Sequence, residues 1–360
     1  MGLRFSEDGP DFPTELVDGL LDGKVLFLCG AGVSTPQLPG FGGLVTRVFQ
    51  ELGVGLEDGE REARDAFRYE EVLGSLARRL SNRSAMHETV RRLLVVADPQ
   101  LEKHKTILRL SRNLDNRVAI VTTNFDTFFE RALDEVEDAG VAAGESFAGQ
   151  ALPLPGADDF GGIIHLHGRL DDPVVKIAGT PLVLTSAEYG EAYMRSGWAA
   201  RFLFDLVRCK TLVLVGYSAG DAPIRYFLNV LEADRERFSD LQPVYALDAF
   251  DEAGSGEGDR WAPIAVRPLG YRRGRKGEAD RHAALWRDLG ALADLVEQPK
   301  AWRRRKAKAL LETPFEGRSE LELSIVSWLF TNKRDLWDVV ITAVQDPRWF
   351  DYIAAQKLWT

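Results

Sequence analysis

The chain has 360 residues, of which 45% are hydrophobic and 28% charged, which is typical of a globular protein with one large core or one core and a smaller domain. Its formal net charge of −10 argues against general nucleic-acid binding. The apolar runs are strand-sized and the N-terminus lacks an apolar signal core, so we expect a cytoplasmic protein without membrane association.

Short apolar runs alternate with amphipathic helical patterns along most of the chain. Buried strands are predicted at Lys24–Cys29, Val118–Thr122, Ile163–Leu166, Leu182–Leu184, Thr211–Val215 and Pro243–Ala246. Helices are predicted at Phe41–Leu52, Tyr69–Leu80, His87–Val96, Leu101–Asn113, Phe125–Ala139, Trp198–Arg208 and Ala222–Arg237. This alternation predicts an α/β fold with a Rossmann-like, doubly wound parallel sheet.

Three further stretches define the domain organisation. Residues 53–116 are too long for one crossover and predict a helical sub-module, whereas Gly140–Phe160 is rich in Ala, Gly and Pro and predicts a loop. After Glu297 the pattern is helical only. We therefore expect a catalytic domain at residues 1–298 and a helical C-terminal extension at 299–360. The extension's aromatic residues fit assembly, partner docking or packing onto the sheet, and the chain is also compatible with the front of a longer polypeptide.

Positive charge is concentrated between Arg267 and Lys308, where 13 Lys and Arg stand against five Asp and Glu. Such a region can bind nucleic acid or an acidic partner. It can equally form a solvated helix face or a subunit contact. Direct nucleic-acid binding therefore stays open.

The strand Lys24–Cys29 leads directly into a glycine turn, Gly30-Ala31-Gly32-Val33-Ser34. Glycines let the backbone turn tightly and approach a ligand, and amides before a helix can hold a pyrophosphate. Ser34 adds a hydroxyl donor. The spacing is Gly-x-Gly and not the full Gly-x-Gly-x-x-Gly, so the turn fits either a phosphate cradle or a plain tight turn.

Polar residues follow the next predicted strands. Asn124 and Asp126 come directly after Val118–Thr122, where strand ends of an open α/β sheet line the ligand crevice. Asp126 is equally suited to cap the following helix. His165 and His167 alternate along one strand, so we expect one in the crevice and the other under the helices. A crevice histidine suits proton transfer near neutral pH, and this spacing argues against a metal pair.

The segment Gly216-Tyr217-Ser218 repeats the strand-to-glycine-turn pattern after Thr211–Val215. For Ser218 we predict a contact with a ribose or a phosphate.

Taken in order, the segments Gly30–Ser34, Thr123–Asp126, His167-Gly168 and Gly216–Ser218 resemble the sirtuin family over about residues 20–250. The resemblance is closer to the bacterial sirtuin-like branch found in anti-phage defence effectors than to protein deacylases. It implies that NAD binds in the sheet crevice. The residues it implies for NAD binding are Gly30, Ala31, Gly32, Ser34, Phe41, Thr123, Gly216, Ser218 and Asp248.

The same resemblance implies the catalytic roles. Asn124 would position the nicotinamide ribose or a water, His167 would be the general base, and Asp126 would help to shape the nicotinamide pocket. Asp248, in the segment Ala246-Leu247-Asp248, would contact the adenosine ribose.

Two departures from the deacylase pattern bear on the substrate. Deacylases of the family carry a four-cysteine zinc module, but this chain has two cysteines, Cys29 and Cys209, which we expect to be buried free thiols, so we expect no zinc. The family's Asp-Phe-Arg element is replaced by Pro39-Gly40-Phe41-Gly42-Gly43-Leu44, which keeps the aromatic residue and loses the arginine. Both departures weaken the case for an acyl-lysine substrate.

The expected function is therefore that of an NAD glycohydrolase, an NADase that depletes NAD in anti-phage defence as a regulated effector. An NAD-dependent protein deacylase, or a non-catalytic subunit that senses NAD or ADP-ribose, are the alternatives. The resemblance also implies a homo-oligomer and a defence partner that is ATPase/helicase-like or Argonaute-like.

Overall fold

The computed structural model describes residues 2–82, 84–135, 145–217, 227–228, 231, 241–250, 261, 266–278, 280–331 and 336–355. The chain forms two compact units. The larger unit comprises Gly23–Leu247 and Asp259–Pro268, and the smaller unit comprises Met1–Asp22, Asp248–Gly258 and Leu269–Thr360. The boundary predicted between a catalytic domain at residues 1–298 and a C-terminal extension at 299–360 stays a prediction.

The strands, in chain order, are β1 (Gly2–Leu3), β2 (Phe12–Pro13), β3 (Val25–Cys29), β4 (Ala119–Thr122), β5 (Ser146–Ala148), β6 (Gly162–His165), β7 (Thr211–Val215), β8 (Val244–Phe250) and β9 (Arg267–Arg272). The first nine helices are α1 (Thr14–Leu21), α2 (Phe41–Glu51), α3 (Asp58–Asp65), α4 (Tyr69–Arg79), α5 (Ala85–Leu93), α6 (Glu102–Leu110), α7 (Phe128–Glu135), α8 (Ser186–Gly190) and α9 (Trp198–Cys209). The later helices are α10 (Ala283–Glu297), α11 (Pro299–Leu311), α12 (Glu320–Phe330), α13 (Trp337–Ala343) and α14 (Arg348–Ala355).

The predicted parallel sheet is confirmed, with seven strands in the order β5-β6-β4-β3-β7-β8-β9. Each paired neighbour from β5 to β8 runs parallel. The central strand β3 pairs with β7 along its whole length, and all five of its residues are buried. Its apolar sequence is what a strand covered on both faces requires. The division between the two units falls within β8 and β9.

Several element predictions need correction. Leu182–Leu184 belongs to no strand, and the Val183 amide donates instead to the carbonyl of His167. The helix predicted from Phe125 begins at Phe128. A short strand, β5, lies within the predicted loop Gly140–Phe160. Cys209 is exposed, because it is the last residue of α9 and lies beyond that helix's last buried residues, Leu206 and Val207. Cys29 is a buried free thiol, as expected.

Helices fill the predicted sub-module at residues 53–116, where α3, α4, α5 and α6 follow one another. They are amphipathic, with apolar side chains such as Leu73, Val90 and Ile107 fully buried. The helix predicted at Ala222–Arg237 lies almost wholly outside the described residues. No helix in the described part of the chain combines the length and apolarity that crossing a bilayer requires.

The smaller unit contains the C-terminal helices and part of the basic region. Trp349 is fully buried, and its indole N–H donates to the carbonyl of Thr313 at 2.9 Å. Arg303 is also buried and donates to the carbonyl of Leu329 at 2.8 Å, so it belongs to the core and not to a surface patch. That the remaining basic residues bind nucleic acid or an acidic partner stays a prediction.

Candidate functional site

The two glycine turns at the ends of β3 and β7 pack directly against each other. The amide of Gly30 donates to the carbonyl of Val215 at 2.8 Å, and the amide of Gly32 donates to the carbonyl of Gly216 at 2.9 Å. A Cβ atom on Gly32 would lie 2.7 Å from the Cα of Gly216. One on Gly216, whose φ is +70°, would lie 2.6 Å from the Val33 amide nitrogen. Glycine is therefore required here because two backbones meet, independently of any ligand.

After these contacts the first turn continues as a short 3₁₀ helix, Ala31–Val33, which ends at Ser34. The Ser34 side chain is almost completely buried, with 1% of its surface exposed. This turn therefore directs the serine hydroxyl inward, next to the residues that follow β4.

The Ser34 hydroxyl joins two predicted catalytic residues. It donates to Oδ2 of Asp126 at 2.9 Å and accepts a hydrogen bond from Nδ2 of Asn124 at 3.2 Å. Asn124 and Asp126 are both buried. The amide of Asn124 also donates to the Thr122 hydroxyl at 3.0 Å, which fixes the backbone beyond β4. We call Ser34, Asn124 and Asp126 the serine cluster.

Asp126 is hydrogen-bonded both to the start of α7 and to Ser34. Its Oδ1 accepts the amide N–H of Phe128 at 3.2 Å at the start of α7, while Oδ2 faces Ser34. Burial raises the pKa of Asp126 to about 6, although the hydrogen bonds from Ser34 and Phe128 oppose the rise. The carboxylate is therefore mostly ionised at pH 7 and becomes protonated in mild acid.

The two motif histidines have different environments, although both are buried. His165 is fully buried, and its Nδ1 and Nε2 lie 3.0 Å from the Asn124 carbonyl and 2.7 Å from Oε1 of Glu130. Burial alone would lower the pKa of His165, but the Glu130 carboxylate outweighs it and raises the pKa. Since both ring nitrogens face acceptors, this histidine is an imidazolium in a buried ion pair that supports the Asn124 backbone.

His167 lies just beyond β6 and is 2% exposed. Its Nε2 is 2.8 Å from the hydroxyl of Tyr193, and its ring makes edge contacts with Tyr189 and Tyr193. Tyr193 belongs to a π-helical turn, Glu191–Arg195, a distortion often found at functional sites. Burial lowers the pKa of His167 to about 3, so its imidazole is neutral at pH 7.

The remaining predicted residues divide among the larger unit, the smaller unit and the part of the chain that is not described. The Thr123 hydroxyl and the Tyr217 hydroxyl are 2.9 Å apart, which links the ends of β4 and β7. Phe41 opens α2 and packs edge-to-face on Tyr69. Asp248 is buried in β8 and belongs to the smaller unit. Ser218 lies outside the described residues.

Sequence reasoning missed His104 of α6. Its ring is fully buried, with Nε2 3.3 Å from the Ser34 hydroxyl, 70 residues away in the chain. It sits among apolar positions of an amphipathic helix, such as Ile107 and Leu108, where a histidine is easily read as part of a core face. The sequence feature that could have identified it is a polar residue at a position of the otherwise apolar face of α6.

Among the described residues, no group of three or more His, Cys, Asp or Glu side chains is arranged to hold a metal ion. The prediction that the protein contains no zinc rests on its two cysteines and stays a prediction. The serine cluster itself supplies a buried carboxylate, a carboxamide and a hydroxyl.

A family comparison fits this arrangement. Residues 118–268 match the family described as the SIR2-like domain, a range that includes Asn124, Asp126 and His167. Over this range the chain is similar to the SIR2-like domain, in agreement with the resemblance seen in its sequence. Gly30–Ser34 lies before the matched range.

Two individual proteins are also similar. The chain is 48% identical over 353 residues to "Uncharacterized protein y4cA" of Sinorhizobium fredii (strain NBRC 101917 / NGR234), covering 98% of this chain but 29% of that relative's length. A solved structure described as "Structural Basis for the Mechanism and Regulation of Sir2 Enzymes" matches 80% of this chain and 97% of its own, with 15% identity and a TM-score of 0.37.

Proposed function

We propose that the chain is an NAD glycohydrolase that cleaves NAD to nicotinamide and ADP-ribose. The observation that carries this proposal is the serine cluster. Ser34 and Asn124 are 90 residues apart in sequence, yet their side chains share a hydrogen bond beside the ionisable Asp126. The cluster lies beyond the ends of adjacent parallel strands, the edge at which open α/β sheets bind ligands.

The buried carboxylate suits the charge that this reaction develops. Cleavage of the bond between nicotinamide and ribose passes through a ribose with cationic character. Asp126 is ionised at neutral pH and has little solvent around it to weaken its field. Stabilisation of that charge is therefore the role we assign to Asp126.

Asn124 is held at both its side chain and its backbone. Its carboxamide nitrogen donates to Ser34, and its main-chain carbonyl faces the imidazolium of His165. A carboxamide in one fixed orientation can position a ribose hydroxyl or a water without a further loss of rotational freedom. This is the role we assign to Asn124.

His167 is the candidate base for the attacking water. With Nε2–H donating to the Tyr193 hydroxyl oxygen, Nδ1 is the unprotonated nitrogen and would take the proton of the water. The pKa of about 3 makes this imidazole a weak base at neutral pH. A weak base is sufficient here, because water that attacks a cationic ribose loses its proton far more readily than free water.

Water as the acceptor is supported by the sequence departures from the deacylase pattern, namely two cysteines in place of four and the lost arginine near Phe41. A protein deacylase would release nicotinamide only when an acylated peptide is present. We further propose that the enzyme is a cytoplasmic defence effector gated by assembly or by a partner, because an ungated NADase would exhaust the NAD of its own cell.

The direct test incubates the purified full chain with NAD and no peptide, and quantifies nicotinamide and ADP-ribose by chromatography. Asn124→Ala and His167→Ala should abolish product formation while the thermal unfolding transition remains. Asn82→Ala removes an exposed carboxamide between α4 and α5 and serves as the matched control. Release of nicotinamide only with an acylated peptide would favour the deacylase, and full activity in both site variants would overturn the residue assignment.

A further inference from the structure

One continuous segment of the chain contacts both the main chain and the ring of His167. The amide of Val183 donates to the His167 carbonyl at 2.9 Å. Further along the same segment, the rings of Tyr189 and Tyr193 pack edge-on against the imidazole. We call residues 180–193 the covering segment. Its position determines where the candidate base lies and how its ring is turned.

Helix α5 of the sub-module holds the covering segment at two places. Nε2 of His87 lies 2.8 Å from Oε1 of Glu188, and both side chains are partly buried. Arg91 donates to the carbonyl of Thr180 at 2.7 Å. Because His87 and Arg91 are four residues apart, they lie on the same face of α5. The helix therefore binds the segment on both sides of Val183, although α5 lies outside the range that matches the SIR2-like domain.

The Glu188 carboxylate connects α5 to the start of α8. Its Oε2 accepts the amides of Leu184 at 2.9 Å and Thr185 at 2.8 Å, which caps the helix. Burial opposes the charge, but the hydrogen bonds from His87 and these two amides lower the pKa of Glu188. An ionised carboxylate only accepts, so His87 carries a proton at Nε2. Capping explains the Oε2 contacts alone, and the Oε1 contact ties α8 to a helix about 100 residues earlier in the chain.

We propose that His87 is a positioning residue for the reaction. By holding Glu188 at the start of α8, it fixes the tyrosines that follow, Tyr189 and Tyr193, and through them the direction of Nδ1 of His167. This inference rests on the proposed NAD glycohydrolase activity. The helical sub-module then supports the base from outside the sheet.

Substitutions on α5 separate positioning from packing. His87→Gln keeps an N–H close to the place of Nε2, whereas His87→Leu removes it and keeps apolar bulk. Arg92→Leu is the matched control, because it breaks a pair between α5 and Glu51 of α2 and not one with the covering segment. We expect kcat for NAD cleavage to fall about fivefold or more in His87→Leu, with KM changed less than about threefold. In His87→Gln and Arg92→Leu, kcat should stay within about twofold of the wild type.

Wild-type kcat in His87→Leu would overturn the inference, as would an equal loss of kcat in Arg92→Leu. Combination of His87→Leu with Tyr193→Phe tests whether His87 acts through α8. Because both substitutions would release the same ring, the double variant should lose little more activity than the more damaged single variant. Losses of kcat that multiply in the double variant would overturn the inference.

A second measurement is independent of activity. The chain has five histidines, so NMR of the full chain labelled with ¹⁵N-histidine gives few side-chain signals, and those of His167 are identified by their loss in His167→Gln. We expect the Nε2–H signal of His167 to shift or broaden in His87→Leu and to stay in place in Arg92→Leu. An unchanged His167 signal in His87→Leu would overturn the inference even in an active enzyme. An inactive wild type whose His167 signal responds to His87→Leu would instead count against the proposed function alone.

Discussion

The Tyr193 hydroxyl lies 2.8 Å from Nε2 of His167, where it can accept the N–H of a ring whose Nδ1 stays unprotonated. A base histidine works with one nitrogen while the other is held by an orienting group. Here the orienting group comes from the π-helical turn Glu191–Arg195. The position of that turn is thereby coupled to the direction of Nδ1.

Tyr193→Phe tests this coupling. The substitution keeps the ring contact with His167 but removes the hydrogen bond, so the imidazole can rotate. We expect kcat to fall about tenfold with little change in KM. Tyr271→Phe is a matched control, because that hydroxyl bonds to His282 in the smaller unit. Steady-state kinetics with unchanged or increased kcat in Tyr193→Phe would contradict the orienting role.

Asp126 gives the activity a pH dependence. Its pKa of about 6 means that the stabilising negative charge is lost as the pH falls through that value. We expect log kcat to be flat above pH 7 and to decrease with unit slope in the acidic range. A profile that stays flat to pH 5 in a folded enzyme would exclude a catalytic role for the Asp126 charge.

The ionised Asp126 carboxylate should favour activity at the expense of stability. Because the folded-state pKa of Asp126 lies above the ordinary aspartate value of 3.8, ionisation of Asp126 destabilises the folded protein as the pH rises from 3.8 to about 6, and the cost is constant above that. Asp126→Asn should therefore be inactive. At pH 7.5 its free energy of unfolding should nevertheless exceed that of the wild type by about 2 kcal/mol. Urea unfolding at pH 7.5 and pH 4 measures this, and the difference should shrink at pH 4.

The buried pair of Glu130 and His165 should behave in the opposite way. Burial opposes both charges, but each partner stabilises the other, so the pKa of Glu130 is lowered and that of His165 is raised. Glu130→Ala leaves His165 buried alone and should cost about 3–5 kcal/mol in unfolding free energy at pH 6.

The pair's contribution should be lost as the pH falls through the lowered pKa of Glu130 or rises through the raised pKa of His165. Glu191→Ala, which breaks an exposed pair with Arg195, is the control and should cost less than about 0.5 kcal/mol. Equal losses of unfolding free energy in the two alanine variants would show that the buried pair contributes no more to stability than the exposed pair.

Gly32→Ala tests the contact between the glycine turns. The added methyl group would lie 2.7 Å from the Cα of Gly216, so the ends of β3 and β7 would have to separate. We expect a destabilisation of about 2 kcal/mol or more and a loss of NAD cleavage. Gly59→Ala, in α3 with open space around it, is the control and should stabilise the protein by about 0.5–1 kcal/mol. Thermal unfolding that ranks the variants in the reverse order would contradict this account.

Much of the fold could be predicted from the sequence, because the buried parallel strands are continuous apolar runs such as Val25–Cys29 and Thr211–Val215. Leu182–Leu184 has the same pattern but no neighbouring strand, since its pairing depends on where the chain passes in space. Sequence periodicity predicts which side chains are buried, but it does not predict which strand pairs with a given segment.

The site divides in a similar way. Asn124 and Asp126 could be found because they follow a strand, and strand ends meet at one edge of a sheet. The Ser34 hydrogen bonds, the His104 contact and the His167–Tyr193 bond join residues from separate segments, so no local pattern announces them. The glycine pattern fits either a phosphate cradle or a plain tight turn, and the structure shows that Gly32 and Gly216 approach each other.

The most direct test of the central claim is peptide-free cleavage of NAD by the purified full chain, compared with its Asn124→Ala variant. We expect equimolar nicotinamide and ADP-ribose from the wild type and neither product from the variant, although both unfold cooperatively. NAD left intact by the wild-type chain, or cleaved equally by both proteins, would contradict it.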